Sequence, residues 1–211
     1  MPRKVIATAT VIAVAATSTL VLAQNRRPPS PAGASAAEIG GKMTPTSGGE
    51  PVYTRGKWIE VTYGRPIKRG RDVFGSGASY GKVANPDAPV WRAGANVSTQ
   101  LKTEVALVIN GKTVPPGTYT MFIDLKPNNW TLIVSRWKAQ ADYDANNTAE
   151  IWGAYSYTPD KDVVRAPMKL ETLPHSHEEL SWEFLDVTDA GGTLAIMWDK
   201  TMASVPFKAG T

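Results

Sequence analysis

The run Val105-Ala106-Leu107-Val108-Ile109-Asn110-Gly111-Lys112-Thr113-Val114, continuing through Pro115-Pro116-Gly117 into Thr118-Tyr119-Thr120-Met121-Phe122-Ile123, decides the fold class. Asn110-Gly111 separates two β-branched segments, and both residues tolerate the positive φ that a two-residue hairpin turn demands. The segment after it is again β-branched and aromatic, punctuated by Pro and Gly. The same grammar repeats outward: Trp58 to Tyr63 upstream, then Trp130 to Val134, Trp182 to Val187 and Leu194 to Trp198 downstream. Asn128-Asn129 predicts a turn between Ile123 and Trp130, and Gly191-Gly192 one between Val187 and Leu194. No long stretch keeps a helical period, and only Ser135 to Asp142 and Ser176 to Leu180 are weak helix candidates. The expectation is an all-β, antiparallel β-sandwich or barrel of about eight to ten strands with few short helices. Its core should include Tyr119, Met121, Leu132, Val134, Phe184, Leu194, Ile196 and Trp198.

Composition bounds the rest. Of 211 residues, 42% are hydrophobic and 20% charged, which excludes disordered and collagen-like chains. The net charge is +4, falling to +2 (21 against 19) without Arg3 and Lys4, and does not argue for a nucleic-acid partner. With no cysteine, disulfides, thiolate metal sites, iron–sulfur clusters and cysteine nucleophiles are excluded. Arg3 and Lys4, the uncharged run Val5 to Ala23 and the small residue Ala23 before Gln24 read as a signal peptide over residues 1–23. That implies export to the periplasm or beyond, with no membrane span once it is cleaved; the alternative is that the nineteen uncharged residues, just long enough to span, stay as an anchor. Residues 24–50 are rich in Gly, Pro, Ser and Ala, with Ile39 and Met43 as the sizeable apolar side chains, and are expected to be a flexible linker without secondary structure. Every aromatic residue lies from Tyr53 onward, so residues 51–209 should form a single β domain.

Several dense segments follow one another in that domain: Val61-Thr62-Tyr63-Gly64-Arg65-Pro66 with Arg69-Gly70-Arg71 and Val73-Phe74-Gly75; Val90-Trp91-Arg92-Ala93-Gly94-Ala95-Asn96 with Thr99; Pro116 to Phe122; and Trp152-Gly153-Ala154-Tyr155 with Tyr157, Asp162-Val163 and Arg165. In this order they resemble the bacterial family called domain of unknown function 2911, over roughly Tyr53 to Lys208. The resemblance implies an exported, mostly β protein and assigns no activity.

Read for chemistry, Arg65, Lys68, Arg69 and Arg71 crowd a loop kinked by Gly64, Pro66 and Gly70, and guanidinium forks suit carboxylate or phosphate. The bland reading pairs Arg65 and Arg69 with acids of the fold. In Trp91 to Asn96, small residues let backbone approach a partner closely; Trp91 offers a stacking face, Arg92 a cation, Asn96 a donor and an acceptor. The alternative is a core tryptophan beside an internal ion pair, with Asn96 holding a turn. Trp152 and Tyr155 fall on opposite sides of an ideal strand, but a bend at Gly153 could bring them together. Arg165 can pair with Asp162 or meet a ligand. Asp160, Asp162 and Glu150 are the carboxylates near a motif that acid–base work would use. His175 and His177 can share a face with Glu178 or Glu179 as a weak metal pattern, more simply an exposed polar loop. No Gly-x-Ser-x-Gly elbow and no phosphate-cradling glycine loop appears, and no cofactor is implied.

Three readings stand. The first is a module for a small polar, anionic or saccharide-like ligand, with Arg65, Arg69, Trp91, Arg92, Asn96, Trp152, Tyr155 and Arg165 converging on one site. The second is a structural or envelope-interaction domain. The third is a hydrolase using Asp/Glu chemistry.

Overall fold

A computed structural model describes residues 28–210. The proposed signal peptide lies outside the described residues. Strands follow in the order β1 (Ala32–Ile39), β2 (Lys42–Thr44), β3 (Val52–Thr54), β4 (Lys57–Gly64), β5 (Thr99–Thr103), β6 (Leu107–Ile109), β7 (Lys112–Val114), β8 (Gly117–Asp124), β9 (Thr131–Ser135), β10 (Asp162–Pro167), β11 (Lys169–Thr188) and β12 (Gly191–Ala209). A six-stranded antiparallel sheet, β1-β4-β5-β8-β9-β10, packs on a four-stranded one, β11-β12-β6-β7, while β2 and β3 form a separate hairpin. This is an open sandwich, not a closed barrel. Helix among the described residues is limited to single turns at Gly77–Ser79 and Pro159–Lys161. None is long and apolar enough to cross a membrane.

Alternation along the strands builds the core, because successive side chains leave a strand on opposite faces. Ile59, Val61, Leu101, Met121, Ile123, Leu132 and Val134 of the larger sheet meet Trp182, Leu194, Ile196, Val205 and Phe207 of the smaller. Of the expected core residues only Phe184 is partly rather than fully buried. The intervening residues Phe122 and Ile133 are buried as well, under Ile151, Ala154 and Tyr157. The long segment between β9 and β10 therefore covers the outer face of the larger sheet.

Three expectations are corrected. Residues 24–50 were expected to form a structureless linker, yet Ala32–Ile39 pairs with β4 along its full length, from Ala32↔Gly64 to Ile39↔Lys57. The free edge of β4 supplies the hydrogen bonds, and small side chains suit the site: a Cβ on Gly33 would stand 2.7 Å from the Tyr63 ring. With β2 this brings the total to twelve strands, above the expected range. Ser135 to Asp142 is not helical, because Gln140 and Ile151 exchange bridging backbone bonds with Ile151 and Lys138 across the covering segment. Ser176 to Leu180 lies inside β11, so His175 and His177 sit on a strand rather than in a loop. There β11 slips its register with β12 between Thr172 and Ser181 and bonds instead to Pro66–Lys68, through Lys68 N to Glu178 O at 2.7 Å and Leu180 N to Pro66 O at 3.0 Å.

That slipped region is fastened by Asp199, which accepts from Lys68 Nζ at 2.5 Å and from Ser176 Oγ at 2.7 Å. Burial pushes the Asp199 carboxyl up, but the bonds from Lys68 and Ser176 outweigh it and leave it below its ordinary value of 3.8. A depressed carboxyl stabilises the fold above its unfolded value and loses that contribution as pH falls through the folded one. Asp199→Asn should thus cost about 1 kcal/mol at neutral pH. The difference from wild type should shrink below about pH 4 in urea titrations.

The covering segment is organised by one buried amide. Gln140 Nε2 donates toward the carbonyls of Asp144 (3.2 Å), Asn147 (2.8 Å) and Glu150 (3.2 Å), while its Oε1 accepts from Asp144 N at 2.9 Å. Gln140→Ala strands those groups and should cost roughly 2 kcal/mol. Faster amide exchange across residues 144–150 should accompany the loss, with the sandwich strands still protected.

Candidate functional site

Two of the dense motifs meet at a glycine contact. Gly64, at the end of β4, lies so close to the next motif that a Cβ there would stand 1.8 Å from the Ala95 carbonyl oxygen. Ala95 N donates to Gly64 O at 3.0 Å. The Trp91–Asn96 loop folds back through left-handed residues Ala93 (φ 52) and Asn96 (φ 59). The Ala93 carbonyl accepts from the buried Trp182 Nε1 at 2.9 Å, which ties the loop to the opposite sheet. Asn96 Nδ2 reaches the Ser30 carbonyl at 3.2 Å. Asn96 holds a turn, as the bland reading had it, and Ser30, two residues before β1, helps.

The third motif arrives from the covering segment. Gly153, at φ 62, bends the chain so that Trp152 and Tyr155 face the same groove instead of opposite sides of a strand. The Ser98 hydroxyl lies 2.8 Å from the Gly153 carbonyl and pins the bend to the sandwich. The missing Cβ has a second use: at Gly153 it would stand 2.5 Å from Arg92 Cζ, so only glycine lets the guanidinium lie against the backbone. Arg92 also donates from Nη1 to Asn96 O at 2.6 Å and sits 5.3 Å from the Tyr155 ring centroid.

The result is a groove of about 380 Å³ whose walls include Arg92, Asn96, Trp152 and Tyr155, with Trp91 and Arg71. Trp91 is not a stacking platform. It is buried, lies nearly parallel to Trp198 at 6.2 Å and packs edge-on against Phe74 and Trp130, so it forms the floor. Arg71 was visible as one of four clustered cations but was not among the residues assigned to the site. The turn Lys68-Arg69-Gly70-Arg71, left-handed at Arg69 and Gly70 and closed by Arg71 N to Lys68 O, swings it into the groove. Its guanidinium donates to the carbonyls of Lys68 (2.9 Å) and Ile67 (2.6 Å). Among the described residues neither Arg71 nor Arg92 forms an ion pair. Carbonyls orient both cations and neutralise neither.

Three of the eight expected site residues lie elsewhere. Arg65 pairs with Glu179 of β11 at 2.8 Å. Arg69 is exposed on the turn, where its backbone N–H donates to Glu178 Oε1 at 2.5 Å. Arg165 of β10 pairs with Asp162 at 2.9 Å and Asp124 at 3.3 Å and donates to Tyr157 Oη at 3.0 Å. Burial, followed by the Asp162 carboxylate, pushes the Tyr157 hydroxyl far up. In each place a carboxylate or the turn itself claims the arginine. Asp162 is thereby committed to Arg165 and Tyr157, and Asp160 to the Thr158 hydroxyl.

A family model described as "Protein of unknown function (DUF2911)" matches residues 51–207. The chain belongs to this family. Searches of curated proteins and of solved structures match nothing. The matched region carries the DUF2911 motifs in the sandwich, while Ser30 and β1, which complete the groove and the sheet, precede it.

Proposed function

We propose that this DUF2911 domain is a binding module for a small anionic ligand, delivered outside the cytoplasm by the export signal read in residues 1–23. The observation that carries the reading is the pair of arginines, Arg71 and Arg92, on one groove with no carboxylate partner among the described residues. Arginine offers five N–H donors in a planar fork, and each of these two spends only part of its set on carbonyls. Two uncompensated cations beside aromatic walls favour a carboxylate, sulfate or phosphate group over a neutral one. A volume of about 380 Å³ lies within the range of small-molecule sites.

Thermal shift of the full chain against sulfate, phosphate, malonate, glucose and glycerol tests the reading. Ligands that bind only the native state raise its apparent stability. The dianions should raise the midpoint and the neutral compounds should not. Arg92→Ala should abolish the response while costing only about 1 kcal/mol of stability, since it breaks one carbonyl bond and one ring contact and strands no buried charge. Equal responses from neutral and anionic compounds would overturn the reading.

A further inference from the structure

A second cavity, of about 460 Å³, opens on the other side of the groove wall, and Trp152 and Tyr155 line both. Tyr143 is exposed and its ring stands 6.0 Å from that of Trp152, tilted by 57°, so the two form an open corner. Tyr155, which faces the Arg92 guanidinium, is exposed as well. The polar groups here differ in sign from those in the groove. Glu150, Asn147 and Thr148 face the cavity, with Glu150 Oε2 held by Asn147 Nδ2 at 3.0 Å. The Gln140 amide fills the centre of this loop's carbonyls, so the loop is built before any ligand arrives.

Flat aromatic faces beside acceptors with one oxygen preset suit a ring that is apolar on its C–H face and donates hydroxyls at its edge. A second anion is disfavoured beside Glu150 and Asp144. The adjoining groove, by contrast, takes an anion. We infer that the two cavities are consecutive subsites for an acidic oligosaccharide, its carboxylate- or sulfate-bearing ring at Arg71 and Arg92 and the next, neutral ring on Tyr143 and Trp152. The assignment rests on the anion-binding reading and extends it across the Trp152–Tyr155 wall.

The test is isothermal titration of the full chain with glucuronate, with an aldotriouronic acid (one glucuronate on two xyloses), with neocarrabiose monosulfate (one sulfated ring on one neutral ring) and with xylotriose. At least one acidic oligosaccharide should bind 10-fold or more tighter than glucuronate, and which one does so tells carboxylate from sulfate. Xylotriose should bind at least 10-fold more weakly than that oligosaccharide. Tyr143→Ala, a change at an exposed side chain, should remove the gain and leave glucuronate binding as it was. Arg92-dependent binding of glucuronate with no gain for either oligosaccharide, or a gain untouched by Tyr143→Ala, overturns the second subsite alone. No binding by any of the four overturns the saccharide assignment alone where malonate still binds, and xylotriose binding as tightly as the acidic compounds overturns the anion-binding reading as well.

Discussion

Trp182→Ala should destabilise the domain by roughly 3–5 kcal/mol, the range for emptying a fully buried large aromatic site. Trp182 has no exposed surface, lies on β11 among Leu194, Ile196 and the larger sheet, and does more than fill volume. Its Nε1 donates to the Ala93 carbonyl at 2.9 Å, and its backbone N–H donates to Tyr63 Oη at 3.2 Å. Truncation leaves a cavity between the sheets and leaves the Ala93 carbonyl, at the root of the Trp91–Asn96 loop, to the Thr99 hydroxyl alone at 3.2 Å. The two contributions separate experimentally. Trp182→Phe keeps one six-membered ring and loses the indole donor with the volume of the second ring, so it should cost about 2 kcal/mol, less than the alanine change. Urea denaturation of both variants measures the difference. In Trp182→Phe, weakened anion response at nearly intact stability would tie the indole bond to the groove.

Gly64→Ala should cost about 3 kcal/mol, because overpacking against backbone cannot be relieved by a rotamer change. The added Cβ would stand 1.8 Å from Ala95 O and 2.7 Å from Ala95 C, so the Trp91–Asn96 loop itself must move. Movement there displaces the carbonyl of Asn96 that orients Arg92. Gly111→Ala is the control. Gly111 has positive φ (73) but nothing within 4 Å of its would-be Cβ, so only the left-handed penalty of about 1–2 kcal/mol applies. Thermal melts of the two variants should therefore differ clearly, and only Gly64→Ala should lose the anion response.

The strands were legible where the residues are large. Trp58 to Tyr63 alternates openly, Thr118 to Ile123 is β-branched and aromatic and buried from Tyr119 on, and Asn110-Gly111 adopts the two positive φ values (50 and 73) that its sequence demands. Strand β1 was not legible, because Ala, Gly and Ser carry no hydrophobic period; it exists because β4 offers an edge and Tyr63 needs a small neighbour. Residues 176–180 misled because their partner is Pro66–Lys68, more than a hundred positions away. The site divides on the same principle. Trp152 and Tyr155 were brought together by Gly153, a local signal. Arg65 and Arg165 were claimed by Glu179 and Asp162; such a pairing depends on which strands become neighbours. Arg71 was one of four equivalent cations until the Arg69-Gly70 turn gave it a direction.

Arg71 and Arg92 are proposed to hold an anion in the groove. Isothermal titration of the full chain with malonate at low ionic strength, beside Arg71→Ala and Arg92→Ala, measures it most directly. Saturable binding by wild type, weakened at least 10-fold in each variant and abolished in the pair with folding intact, is the predicted result. Malonate affinity unchanged by either substitution, or absent from the wild-type chain, would contradict it.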